Sequence, residues 1–180
     1  MIFAIESLAA AVVFALLAYL LYCTTGANLA EREKLCRNNP AGLILSLPCA
    51  LLCVPLAIPV SPDFLVIMLY PLAVILPVLC YFYIDFYAAR GLAFLLILWA
   101  YDTVHAAFEI HIPGAAAVTI TALLWGSAGI WLAAKPAALR DLFRKVSVDK
   151  KWKFPAAIAA AAGSLIALYV FIMYIGVLVK

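Results

Sequence analysis

Asp102, His105 and Glu109 stand at spacings of three and four in the stretch WAYDTVHAAFEIH. On a helix of 3.6 residues per turn they fall within about 60° of one another. A carboxylate one turn from an imidazole can share a proton with it. Imidazole and carboxylate together also suit zinc and similar divalent ions. The D-x2-H-x3-E spacing offers two or three ligands from one helix, although the H-E-x-x-H pattern of metalloproteases is absent. Almost everything around the stripe is apolar. An ionised side chain at mid-bilayer costs about 2.5–3.5 kcal/mol on insertion scales, so such groups mark sites by default. Asp102 therefore needs a reason: a pair with His105, a water-filled cavity, or a metal or cationic solute held with His105 and Glu109. A purely structural polar cluster is the plainer alternative.

One turn at a time toward the start of the same helix, the stripe continues as Leu98, Leu95 and Gly91. Polar character is confined to one half of the segment, which argues against a continuous proton wire. Glu6 in the first apolar segment and Thr119 and Thr121 in the fifth are expected at the same level. His111 and Asp63 fall in short loops at that end. The candidate solute- or ion-binding set is Glu6, Asp102, His105, Glu109 and Thr121, with Asp102, His105 and Glu109 as the candidate metal ligands.

These side chains sit in a chain of 180 residues, 69% hydrophobic and 12% charged. Soluble domains carry roughly a quarter charged residues. So little polar surface cannot cover a globule in water, and a bilayer is the natural solvent. A span needs about 20 apolar residues. Six are predicted, near 3–22, 41–60, 64–84, 91–108, 114–134 and 154–179, forming one all-α transmembrane bundle over 1–180. Runs such as LLIL and AAIAAAA do not alternate as barrel strands would. The opening MIFAIESLAA has Glu6 and no Lys or Arg, unlike a secretory signal. Tyr22 stands before Cys23 where a lipoprotein box wants a small residue, so the first segment is expected to be a retained span.

Charge sets the threading. Of the twelve Lys and Arg residues, all but Lys180 fall in the first, third and fifth connections. By the positive-inside rule those loops are cytoplasmic and both termini lie outside, as in the inner membrane of a bacterium. In KPAALRDLFRKVSV, Leu139, Leu142, Phe143 and Val146 share one face, and Pro136 suits a first helical position. This predicts a short amphipathic helix on the inner membrane surface. Arg140, Arg144, Lys145, Lys150, Lys151 and Lys153 would then meet anionic lipid headgroups. In the first loop, NLAE offers Asn28 as a helix cap with Glu31 at the capping-box position. Asp85 and Arg90 are expected to form a local ion pair.

Six prolines, Pro48, Pro55, Pro59, Pro62, Pro71 and Pro77, crowd the second and third spans. Each interior proline removes a backbone hydrogen bond, and such breaks must be buried or line a cavity. Small-residue faces (Ala156, Ala160 and Ser164, or Ala157 and Ala161, with Gly126 and Gly129) predict close helix contacts. Cys23, Cys36, Cys49, Cys53 and Cys80 are odd in number and have no C-x-x-C, so free thiols are expected. No phosphate-loop, dinucleotide or nucleophile-elbow motif is present, and topology accounts for the basic surface without nucleic acid. No cofactor is strongly implied.

The first functional expectation is therefore a non-enzymatic accessory, assembly or oligomeric membrane subunit, with a membrane-protein partner or a second copy. The alternative is a small carrier or solute-binding protein opening outward at Asp102, His105 and Glu109, with the proline-rich spans as walls. A weaker third is a metal-dependent membrane enzyme at the same stripe.

Overall fold

The protein is described here by a computed structural model covering residues 2–109 and 113–178. The described chain is all-α. It comprises α1 (Ile2–Cys23), α2 (Leu29–Cys36), α3 (Asn39–Ala57), α4 (Asp63–Tyr83), α5 (Tyr87–Glu109), α6 (Ala115–Ala134), α7 (Ala137–Val148) and α8 (Lys150–Leu178). Six of these, all but α2 and α7, are long and apolar enough to cross a membrane, as the sequence predicts. His111 and Lys180 lie outside the described residues, and so does the side chain of Lys150.

α5 is the axis of the bundle and its most enclosed span, whereas α4 is the most peripheral. α1 lies along α8, α6 along α5, and α3 between α5 and α4. The small residues make these approaches possible. A side chain at Gly129 would meet the Leu96 Cβ at 2.9 Å and the Ala93 carbonyl at 3.0 Å. On α8, Ala157 and Ala160 are buried and the Ser164 hydroxyl donates to the Ala11 carbonyl at 2.9 Å. Ala161 is exposed, so the contact runs through the register of Ala160 and Ser164. At the centre the Phe14 ring meets Trp99 and Trp125 edge-on, at 5.1 and 4.7 Å between centroids, a geometry aromatic quadrupoles favour.

The first, third and fifth connections converge on one end. Arg144 of α7 donates a hydrogen bond to Glu33 of α2, and the guanidinium groups of Arg37 and Arg140 lie 4.8 and 5.7 Å from the Phe86 ring centroid. Clustering of the basic residues at one end is thus a property of the fold as well as of the sequence.

Four local expectations change. α5 begins at Tyr87 rather than near 91, because the reversal needs only Ile84–Phe86, with Phe86 in the left-handed region at φ 57°. Arg90 then lies inside α5, exposed on the wall of an open groove, while Asp85 stays exposed in the turn. The ion pair expected between them does not form. Asn28 precedes α2 but does not cap it: its side chain turns back, accepting from the Thr25 amide at 2.8 Å and donating to the Cys23 carbonyl at 2.9 Å. α7 forms directly after Pro136, but its apolar face is not free to lie on a lipid surface. Ala138, Phe143 and Val146 are buried in the same core as Leu17, Leu21 and Cys36.

The prolines lie where the sequence suggests. Pro48 and Pro55 interrupt α3, Pro71 and Pro77 interrupt α4, and Pro59 and Pro62 shape the turn between them. Together with α5 these helices wall an apolar cavity of about 370 Å³. On its wall the Tyr87 hydroxyl donates to the Pro77 carbonyl at 2.7 Å and also meets the Ser46 hydroxyl, tying α5 to α4 and α3.

Candidate functional site

The stripe divides. His105 Nε2 lies 3.1 Å from Glu109 Oε1, with side chains 63% and 64% exposed. The Tyr101 ring stacks on His105, and His105 lines a shallow groove between α5 and α6. These residues face outward from the bundle. Asp102 is rotated toward its interior, half-buried.

What Asp102 meets there is Glu6. The two carboxyls interact across the contact of α1 with α5. Glu6 is 1% exposed, and neither of its side-chain oxygens has a hydrogen bond of regular geometry. Cys49 and Cys53 of α3 lie within electrostatic range of Glu6, and Cys53 also within range of Asp102. All five cysteines are free thiols.

Each acid is followed in sequence by a hydroxyl residue, Ser7 after Glu6 and Thr103 after Asp102. Both hydroxyls are fully buried, and neither has a partner. Helical hydroxyls elsewhere behave differently. Thr24 donates to the Leu20 carbonyl, Thr121 to Ala117 and Ser127 to Leu123. That back-bonding is the usual resting state of Ser and Thr in apolar helices. Ser7 and Thr103 leave it unused, and the buried Trp99 Nε1 is likewise unpartnered. Buried polar atoms are nearly always satisfied, and exceptions call for water, an ion or a functional role.

The pair is closed off on its basic-end side. Toward the basic end Leu95 and Leu98, the apolar continuation of the stripe, are buried against Cys49 and Val13. Cys53 lines the proline-walled cavity and lies within electrostatic range of both acids. Of the residues singled out from sequence, the fold brings Glu6 and Asp102 together. It leaves the His105–Glu109 pair on the surface and ties Thr121 to its own helix. Among the described residues no three His, Cys, Asp or Glu side chains converge as a metal cluster. Ser7, Thr103 and the Cys49–Cys53 pair were not singled out from sequence as part of the site. The repeated acid–hydroxyl dipeptide was the legible signal.

Two carboxyls in a low-dielectric interior cannot both carry uncompensated charge. Their proximity disfavours the doubly charged state. The donors are carboxyl and hydroxyl oxygens, which suit hard cations rather than soft metals.

Fold and site together define an all-α set of described residues with six membrane-length apolar helices and, near one end, a buried Glu6 beside a half-buried Asp102. No family model matches the chain, and neither does any curated protein or solved structure.

Proposed function

We propose that this is a small multi-pass membrane carrier or ion-binding protein whose ligand is a proton or small hard cation held by Glu6 and Asp102. The observation that carries the reading is the Glu6 carboxyl, buried beside a second carboxyl with both oxygens lacking a regular hydrogen bond. The unpartnered hydroxyls of Ser7 and Thr103 add neutral oxygen donors. Cys53, within electrostatic range of both acids, also lines the proline-walled cavity. Relative to the sequence expectation, the site shifts from the exposed His105–Glu109 side to the Glu6 side.

The accessory-subunit reading drew on small-residue helix faces, the lack of catalytic motifs and an almost loop-free outer surface, and the first of these finds its contacts within the chain. Ala160 and Ser164 are engaged by α1, and Gly126 and Gly129 by α5, within the same chain. The metal-enzyme reading has two of its three ligands pointing outward.

The basic end is assigned to the cytoplasm and both termini to the opposite side, in a cell membrane of bacterial type, on the positive-inside rule. Cysteine labelling at Asp63 and Ser147 checks this threading, with position 63 reached from outside the cell and position 147 only after permeabilisation.

The test of function is ligand-dependent stability. A ligand that binds only the native state at 100 times its Kd stabilises it by about 2.7 kcal/mol. Purified protein is melted across pH and in lithium, sodium, potassium or calcium chloride at constant ionic strength. A dependence on one cation or on pH is expected, reduced in both Glu6→Gln and Asp102→Asn. Identical profiles in the wild type and both variants would sink the reading.

A further inference from the structure

A second, independent site lies at the opposite end of the bundle. α6 and α8 diverge there, since α1 claims α8 and α5 claims α6. The gap, roofed by α7, is a cleft of about 710 Å³. That falls within the roughly 300–1,000 Å³ typical of ligand pockets. Leu92, Leu96 and Trp125 form its floor, and Lys135, Lys145 and Trp152 stand at its mouth.

The charges at the mouth are not equivalent. Arg144 is engaged by Glu33, and Asp141 pairs with Arg140 at 3.3 Å. Lys135 and Lys145 have no carboxylate partner among the described residues. The Lys145 ammonium instead lies 5.5 Å from the Trp152 ring centroid. Both lysines are exposed, and they sit where the apolar spans end: α6 stops at Ala134 and the last span begins at Lys151. Lys and Trp at such a boundary sit at headgroup level.

We propose that this cleft binds one anionic membrane lipid, with an acyl chain on the Leu92–Leu96–Trp125 floor and its phosphate between Lys135 and Lys145. Three features select this occupant over bulk lipid or a soluble anion. The cavity is apolar in depth, so a free phosphate would leave it empty. Two cations without carboxylate partners sit at its mouth, so a zwitterionic headgroup would leave them incompletely matched. It lies between two membrane-length helices at headgroup level, so a lipid can enter sideways. Lys145 of α7 thus acts with Lys135 at a defined site, because the helix's apolar face is already committed to the bundle.

The experiment is native mass spectrometry of the detergent-solubilised full chain titrated with phosphatidylglycerol or phosphatidylcholine. One phosphatidylglycerol per chain should be retained, about tenfold in preference to phosphatidylcholine. The double variant Lys135→Gln/Lys145→Gln, which alters only exposed side chains, should lose most of that preference. Ala128→Phe, which fills the cleft and leaves both lysines in place, should lose retention of both lipids. Equal retention of the two lipids by the wild type would overturn the proposal. So would unchanged preference in the lysine variant, or full displacement of the lipid by inorganic phosphate at constant ionic strength.

Discussion

Arg144 Nε donates a hydrogen bond to Glu33 Oε1, and this ion pair fastens α7 to α2 beneath the bundle. The bond and the positive charge hold the Glu33 carboxyl below the usual carboxylate range, with Arg140 and Arg37 adding to the effect. Arg144 is correspondingly held above its ordinary value by Glu33. A depressed carboxylate contributes stability above its unfolded value and loses it as pH falls through the folded one. The α2–α7 contact should therefore loosen in acid. Backbone amide exchange of α7, normalised to unprotected peptide at each pH, should rise below the ordinary carboxylate range. Glu33→Gln should show the raised exchange already at neutral pH. A profile as flat as that of α8 would contradict the assignment.

Cys36 is buried at the same contact, beneath Phe143 and Val146. Burial, aided by the charge of Glu33, pushes its thiol up to about 11. Only the thiolate reacts with alkylating reagents. At pH 7 Cys36 should label far more slowly with maleimide than it does after denaturation in detergent, as peptide mass spectrometry would read. Labelling of the native protein at the denatured rate would show that α7 does not cover it.

Tyr87 supplies the hydroxyl that donates to the Pro77 carbonyl and meets Ser46. Tyr87→Phe removes this bond between α5 and α4 and the partner of the Ser46 hydroxyl, a loss of about 0.5–1.5 kcal/mol. Ser46→Ala leaves the Tyr87–Pro77 bond intact and should cost less. Thermal melts of the two variants should rank in that order, and a Tyr87→Phe protein as stable as the wild type would show that the bond is dispensable.

The α5–α6 contact depends on Gly129. A larger side chain there would collide with Leu96 and the Ala93 backbone, and overpacking of this kind costs about 1–3 kcal/mol or more. Gly129→Leu should lower the melting temperature by several degrees or prevent accumulation of folded protein. Gly176→Leu, at a position with open space around it, should be tolerated. Equal effects of the two substitutions would argue against this packing.

Much of the fold was legible before any coordinates. Hydropathy marks six segments because a span must be continuously apolar over a fixed length, and that is a local property. The α7 periodicity was equally plain. Its docking was not, because an amphipathic pattern says that a face must be buried and not against what. Asn28 shows the same gap at small scale: its capping role was plausible by position, yet two nearer backbone groups claimed its side chain. Asp85 and Arg90 were close enough in sequence to pair, and one residue in the left-handed region sent them apart.

By itself, then, the sequence determined the helices, their number, the concentration of basic residues in alternate connections and the need for a reason behind Asp102. Those follow from composition and spacing along one chain. Only the tertiary structure decided which face of α5 turns inward. It separated Asp102 from His105 and Glu109, whose shared stripe suggested a common site, and set it beside Glu6 from the far end of the chain. A helical stripe about 60° wide can straddle the boundary between bundle interior and exterior, and rotation about the helix axis is set by packing against neighbours. The close approaches of Gly129 to Leu96 and of Ser164 to Ala11 are long-range contacts of that kind, and they help fix that rotation.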